Sequence, residues 1–156
     1  MPLKIGDKAS SFTLIDTERK PRSLSEFQGK KLVLAFYPGA FTGVCQKEFC
    51  TFRDSMTNLG SLNAQIVGIS VDSPFANKAF AAQNNLPFPL LSDYTRAVSE
   101  QYGGVYKDFA GLTGYTASKR AVFVIDPLGV IKYVWISENP GVEPNYNEIN
   151  NILGSI

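Results

Sequence analysis

Two cysteines, Cys45 and Cys50, stand in a C-x4-C spacing in a chain of 156 residues that contains no histidine. The missing histidine removes Ser-His-Asp, Cys-His and His-metal chemistry, so a nucleophile here must be activated by a cation, a helix terminus or burial. In a reducing compartment a close thiol pair is more often catalytic or metal-binding than structural. Two thiolates without histidine make an incomplete zinc set unless carboxylates or a second chain contribute. Redox catalysis, a metal-binding or redox-sensing module, and two incidental core thiols all stand as readings of the pair alone.

The surroundings of the two sulfurs differ. Pro38-Gly-Ala-Phe-Thr-Gly-Val-Cys45 leaves an apolar run and enters a helical pattern, which puts Cys45 in the first turn. Unpaired N–H groups and the helix dipole there favour an anion and predict a thiol pKa below the free value of about 8.5. Cys45, Phe49, Phe52, Met56 and Leu59 form one apolar stripe, with Cys45 at its end in a partly desolvated pocket. Cys50 falls on a mostly polar face with Gln46, Arg53 and Thr57, where a thiol used only for packing is not expected. Five residues of helix rotate a side chain by roughly 500°, so the sulfurs point about 140° apart. Their Cα atoms exceed the roughly 7 Å that a disulfide tolerates. A bond between them requires the first turns of the helix to unwind, a local unfolding event.

The elements that must position this helix are legible as periodic segments. Lys31–Tyr37 and Ala64–Val71 are mainly apolar runs, as strands covered on both faces would be. Residues 44–59 between them are helical, with Gly60 placed to end the helix. Strand, helix, strand predicts a right-handed βαβ unit. Residues 11–15 form a short strand with Phe12 and Leu14 on one face, paired with residues 20–24. Asp72 or Ser73 caps a helix that has Pro74 in its first turn and runs to about Asn84. Leu90 and Leu91 form a short apolar stretch, and residues 97–102 form a helix stopped at Gly103-Gly104. Residues 107–119 read as a loop. Residues 121–125 and 130–136 are strands joined at Asp126-Pro127-Leu128-Gly129 as an antiparallel hairpin, and the last helix spans residues 145–153. The result is one α/β domain, residues 1–156, with a mixed central sheet flanked by helices, an arrangement that resembles the thioredoxin-like fold.

Composition narrows the partners. With 44% apolar and 19% charged residues the chain is an ordinary globular one. A net charge of +1 leaves no field to hold a polyanion, so neither nucleic acid nor an anionic membrane is expected. Met1–Gly6 has no apolar signal region, and no apolar run reaches the roughly 18 residues of a membrane span. A soluble cytoplasmic protein is expected.

Pro38, Thr42 and Cys45 form P-x-x-x-T-x-x-C directly after a strand, which resembles the peroxidatic motif of the peroxiredoxins. The run Cys45-Gln-Lys-Glu-Phe-Cys50-Thr-Phe-Arg-Asp54 resembles the bacterioferritin-comigratory-protein (PrxQ) subgroup. Gly68–Pro74, Leu86–Asp93 and Lys119–Asp126 extend the likeness over nearly the whole chain. The resemblance implies a thiol-dependent peroxidase acting on hydrogen peroxide and organic hydroperoxides. Cys45 would be the peroxidatic nucleophile and Cys50 the resolving cysteine, joined as an intramolecular disulfide; the alternative is a one-cysteine peroxidase with Cys50 idle and an external thiol completing the cycle. Arg120 would support the thiolate and bind the peroxide oxygens, Thr42 would offer its hydroxyl, Pro38 would shield the pocket and Glu48 would orient Arg120. No cofactor and no metal are implied, and a thioredoxin- or glutaredoxin-like reductant would close the cycle.

From the residues alone, Thr42 could be only a helix-entry residue, Pro38 a strand terminator and Glu48 a surface charge. Gln46 and Phe49 depart from the subgroup's usual Thr and Ala, and a bulky Phe49 is expected to slow the unwinding. With no third cysteine, resolution through a partner subunit's tail is excluded, which suits a monomer or weak homodimer.

Overall fold

The computed structural model describes residues 2–156, without the side chains of Met56 and Thr57. Those two members of the helix faces named above therefore lie outside the described side chains. In chain order the strands are β1 (Thr13–Ile15), β2 (Pro21–Ser23), β3 (Lys31–Phe36), β4 (Ala64–Ser70), β5 (Leu90–Ser92), β6 (Val105–Tyr106), β7 (Ala117–Ser118), β8 (Ala121–Ile125) and β9 (Ile131–Ile136). The helices are α1 (Gly43–Asp54), α2 (Met56–Ser61), α3 (Pro74–Asn84), α4 (Ala97–Tyr102) and α5 (Tyr146–Ser155).

A mixed seven-stranded sheet runs in the order β2-β1-β5-β4-β3-β8-β9. Its centre is parallel, β3 to β4 and β4 to β5, and antiparallel pairs flank it on both sides. Strand β3 shows why its sequence is apolar throughout. Val33, Ala35 and Tyr37 point into one core, together with Cys45, Phe49 and Phe52 of α1 and Ile149 and Leu153 of α5. Leu32, Leu34 and Phe36 point into the other, with Phe12, Val98, Tyr102 and Phe123. Successive side chains of a strand alternate between faces, so a strand covered on both sides has no polar positions to spare.

The helix expected over residues 44–59 is in fact two. At Ser55 the backbone turns to φ −91°, ψ 0°, and its N–H is shared among the carbonyls behind it. The Ser55 hydroxyl donates to the Thr51 carbonyl at 2.9 Å, a side chain competing with the helix ladder. Gly60 lies inside α2 rather than ending it, and the left-handed turn falls instead on Asn63 at φ 56°. Asparagine tolerates that region better than most residues do. Residues 107–119 are not wholly loop either. Strand β6 pairs with β7, Val105 opposite Ser118, around a turn with positive φ at Asp108, Ala110, Gly111 and Gly114. The α3 boundaries hold as expected, with the Ser73 hydroxyl accepting the Ala76 N–H, Pro74 next and left-handed Asn85 after the end.

Phe49 fastens α1 to the sheet. Its ring meets Tyr37 at 4.6 Å, Phe88 at 5.8 Å and Phe52 at 5.9 Å between centroids, each at a steep or tilted angle. Gly68 of β4 makes room for it, since a Cβ there would fall 2.8 Å from Phe49 Cε1. Phe49→Ala is expected to cost about 3–5 kcal/mol in urea unfolding and to speed hydrogen exchange of the α1 amides above that of β4.

Candidate active site

The end of β3 delivers the chain to a buried corner. Tyr37, Pro38 and Gly39 are buried, Ala40 is half-buried, and Phe41 turns outward at φ 66° before α1 begins. The corner is tied down from the loop after β4, where Asp72 accepts the Ala40 N–H at 2.7 Å and the Ser70 hydroxyl at 2.8 Å. Asp72 is therefore a loop anchor and leaves the capping of α3 to Ser73. Thr42 occupies the N-cap position of α1, yet its hydroxyl makes no cap and donates to the Gly39 carbonyl at 2.8 Å. It is thus a helix-entry residue by position and not by side-chain bond.

Cys45 is the third residue of α1 and is 0% exposed. Glu48, one turn further on the same face, is also 0% exposed, so it is neither a surface charge nor an i,i+4 partner. Arg120 arrives from the residue before β8, next to the end of β3, because Phe36 pairs with Ala121. It is 1% exposed. Its Nη1 donates to Glu48 Oε1 at 2.9 Å and its Nε to the Pro140 carbonyl at 3.0 Å. Its backbone is held too: the Arg120 N–H donates to the Tyr106 hydroxyl at 3.3 Å, which itself donates to the Ser137 carbonyl at 2.6 Å. Asp72, Tyr106 and Pro140 were not legible as site residues, because each acts through a bond that only the folded chain creates. The short β6–β7 pair that carries Tyr106 left no periodic trace.

Cys50 faces elsewhere. Both cysteines are free thiols, and Cys50 is half-buried against the last turn of α3. Its Sγ donates to Asn84 Oδ1 at 3.5 Å, while Cys45 packs into the core below α1. The divergent directions expected from helix geometry are present.

The electrostatics overturn one expectation. Burial pushes the Cys45 thiol up from its ordinary value. The Arg120 guanidinium, the Thr42 hydroxyl and the Gly39 N–H all favour the thiolate, but they do not overcome that burial. The sequence located the sulfur at a helix N-terminus but could not show how completely water is shut out. The Thr42 hydroxyl has one proton, and its alignment on Gly39 O is the better defined, so its help to the sulfur requires a rotation. Burial also pushes Glu48 up to about 7 against the pull of Arg120, and its Oε2 has no partner among the described residues. Arg120 stays charged, raised further by Cys45 and Glu48 against the opposing effect of burial.

Residues 5–134 match the AhpC/TSA family, a span that holds all the residues just described except Ser137 and Pro140. The chain belongs to that family, the peroxiredoxins. It is 40% identical over 136 residues to the peroxiredoxin Bcp of Escherichia coli (strain K12), covering 86% of each chain. It is also 40% identical over 130 residues to the chloroplastic peroxiredoxin Q of Populus jackii, of which it spans 59%. The crystal structure of the peroxidoxin BcpB from Mycobacterium tuberculosis superposes with a TM-score of 0.85 at 34% identity, over 99% of this chain and 98% of that one. The peroxiredoxin thus has the expected thioredoxin-like fold, and it is a thiol peroxidase, an oxidoreductase acting on peroxides. Among the described residues no helix is long and apolar enough to cross a membrane.

The raised Glu48 has a measurable sign. A carboxyl whose folded pKa lies near 7, against about 4.5 unfolded, binds its proton more tightly in the folded state. Its contribution to stability is full below about pH 4.5 and is lost as pH rises to 7, on the order of 3 kcal/mol. Glu48→Gln removes that proton and is expected to shrink the stability difference between pH 4.5 and pH 8, read by urea unfolding at both.

Proposed function

We propose that Cys45 is the peroxidatic nucleophile, that Arg120 and Thr42 bind the peroxide, and that Cys50 resolves the product within the same chain. The observation that carries this reading is a fully buried sulfur in the first turn of α1 beside the Arg120 guanidinium, which Glu48 and Pro140 hold in place.

A peroxide entering the pocket accepts hydrogen bonds from the Arg120 guanidinium and from a rotated Thr42 hydroxyl. Arg120, fixed by Glu48 and Pro140, needs no rearrangement at that moment, which is where preorganised charge acts most strongly. Cys45 loses its proton, its sulfur takes the distal oxygen, and the O–O bond breaks. The departing alkoxide or hydroxide takes up the proton that Cys45 gave up, leaving Cys45 as sulfenic acid. Pro38 keeps bulk water from the sulfur. The first turns of α1 then unwind, the Cys50 sulfur attacks Cys45, and the oxygen leaves as water.

A thioredoxin- or glutaredoxin-like dithiol returns both cysteines by exchange, in the reducing environment of a cytoplasm. Both sulfurs lie on one helix, so a single domain suffices and a monomer or weak homodimer suits the cycle.

Peroxide turnover with a thioredoxin system is expected to vanish in Cys45→Ser. After one equivalent of peroxide the wild-type mass should fall by two hydrogens, while Cys50→Ser should retain a trappable sulfenate. A disulfide-free wild type would overturn the role of Cys50. Arg120→Met is expected to lower the rate of sulfenate formation by roughly 100- to 1,000-fold in stopped-flow measurements.

A further inference from the structure

Asn84 is the last residue of α3 and is 5% exposed, an unusual place for an amide that neither faces water nor caps its helix. Its Nδ2 donates to the Phe80 carbonyl one turn back at 3.0 Å, which fixes which end of the amide points where. The oxygen is thereby turned toward α1, where it accepts the Cys50 S–H at 3.5 Å. Among the described residues that thiol is its donor. The Asn84 backbone carbonyl takes a second bond from the same face of α1, from Arg53 Nη1 at 2.7 Å. Cys50 and Arg53, one turn apart, are both moored to this one residue.

We propose that Asn84 is the positioning residue of the resolving step: its amide oxygen holds the Cys50 thiol on the outer side of α1 and sets how readily that thiol departs for Cys45. The inference rests on Cys50 being the resolving cysteine. In that step the Cys50 S–H bond and the S–O bond of the Cys45 sulfenic acid break, the S–S bond forms, and oxygen and both protons leave as water. Departure strands the Asn84 oxygen in a buried site without a donor, so the folded helix is favoured until Cys50 moves. Asn84 is a brake on resolution, and it prolongs the life of the sulfenic acid during which a second peroxide can carry Cys45 to sulfinic acid.

Asn84→Ala and Asn84→Asp separate this from mere loosening of α3. Both lose the bond to the Phe80 carbonyl, but only the aspartate keeps an oxygen where Cys50 donates. Rapid quench with a thiol-trapping reagent followed by mass spectrometry follows sulfenate and disulfide in time, and sulfenate formation reports that the site is folded. Asn84→Ala is expected to form the disulfide roughly five-fold faster than wild type, as the loss of about one hydrogen bond implies. It should also need more peroxide to reach sulfinic acid. Asn84→Asp should be no faster than wild type. Disulfide formation at the wild-type rate in Asn84→Ala, or equal acceleration in both variants, would overturn the proposal while leaving Cys50 as the resolver. A wild-type protein that keeps its sulfenate and makes no disulfide would overturn both.

Discussion

Arg120 and Glu48 meet 2.9 Å apart with almost no contact to water, and much of the structure around them exists to make that meeting tolerable. Two buried ions lose their hydration, and only close geometry and further hydrogen bonds offset the loss. Arg120 finds these in the Pro140 carbonyl and, through its backbone, in Tyr106 and Ser137. Glu48 finds fewer, with one oxygen bonded and the other without a partner among the described residues, which is why burial wins over the neighbouring cation and raises its pKa. Because Glu48 rides on α1 and Arg120 on the sheet, the pair forms only when α1 is docked. The buried charge pair is therefore assembled by the folded helix, while a disulfide between residues 45 and 50 would require that same helix to open.

The sheet supplies the rigid half of this arrangement. Parallel β3 and β4 bring Tyr37 and Asp72 to one end, and antiparallel β8 brings Arg120 to the same end from far along the chain. Phe49 and Gly68 lock α1 onto it with a ring that fits only against a bare backbone. The phenylalanine that stabilises the docked helix is the residue expected to slow its unwinding.

Periodicity was enough to read β3, β4, α3 and the β8–β9 hairpin, since each has a strong pattern and a local stop signal. The Pro38, Thr42 and Cys45 spacing marked the passage from β3 into α1, where the structure places all three. What escaped was decided by tertiary contacts. The break at Ser55 depends on a hydroxyl reaching back to Thr51, and a two-residue strand such as β6 has too few positions to show alternation. Complete exclusion of water from Cys45 follows from the packing of two distant segments, so the direction of its pKa could not be read from a helix terminus alone. Asn84, ordinary in sequence, gains its meaning from a neighbour on another helix.

The interruption at Ser55 acts as a firebreak. A continuous rod from residue 43 to residue 61 would melt as one cooperative unit and pull on β4 as it went. Divided at Ser55, the segment that carries both sulfurs ends before α2 begins, so an opening of α1 would have a place to stop short of α2 and the central strands.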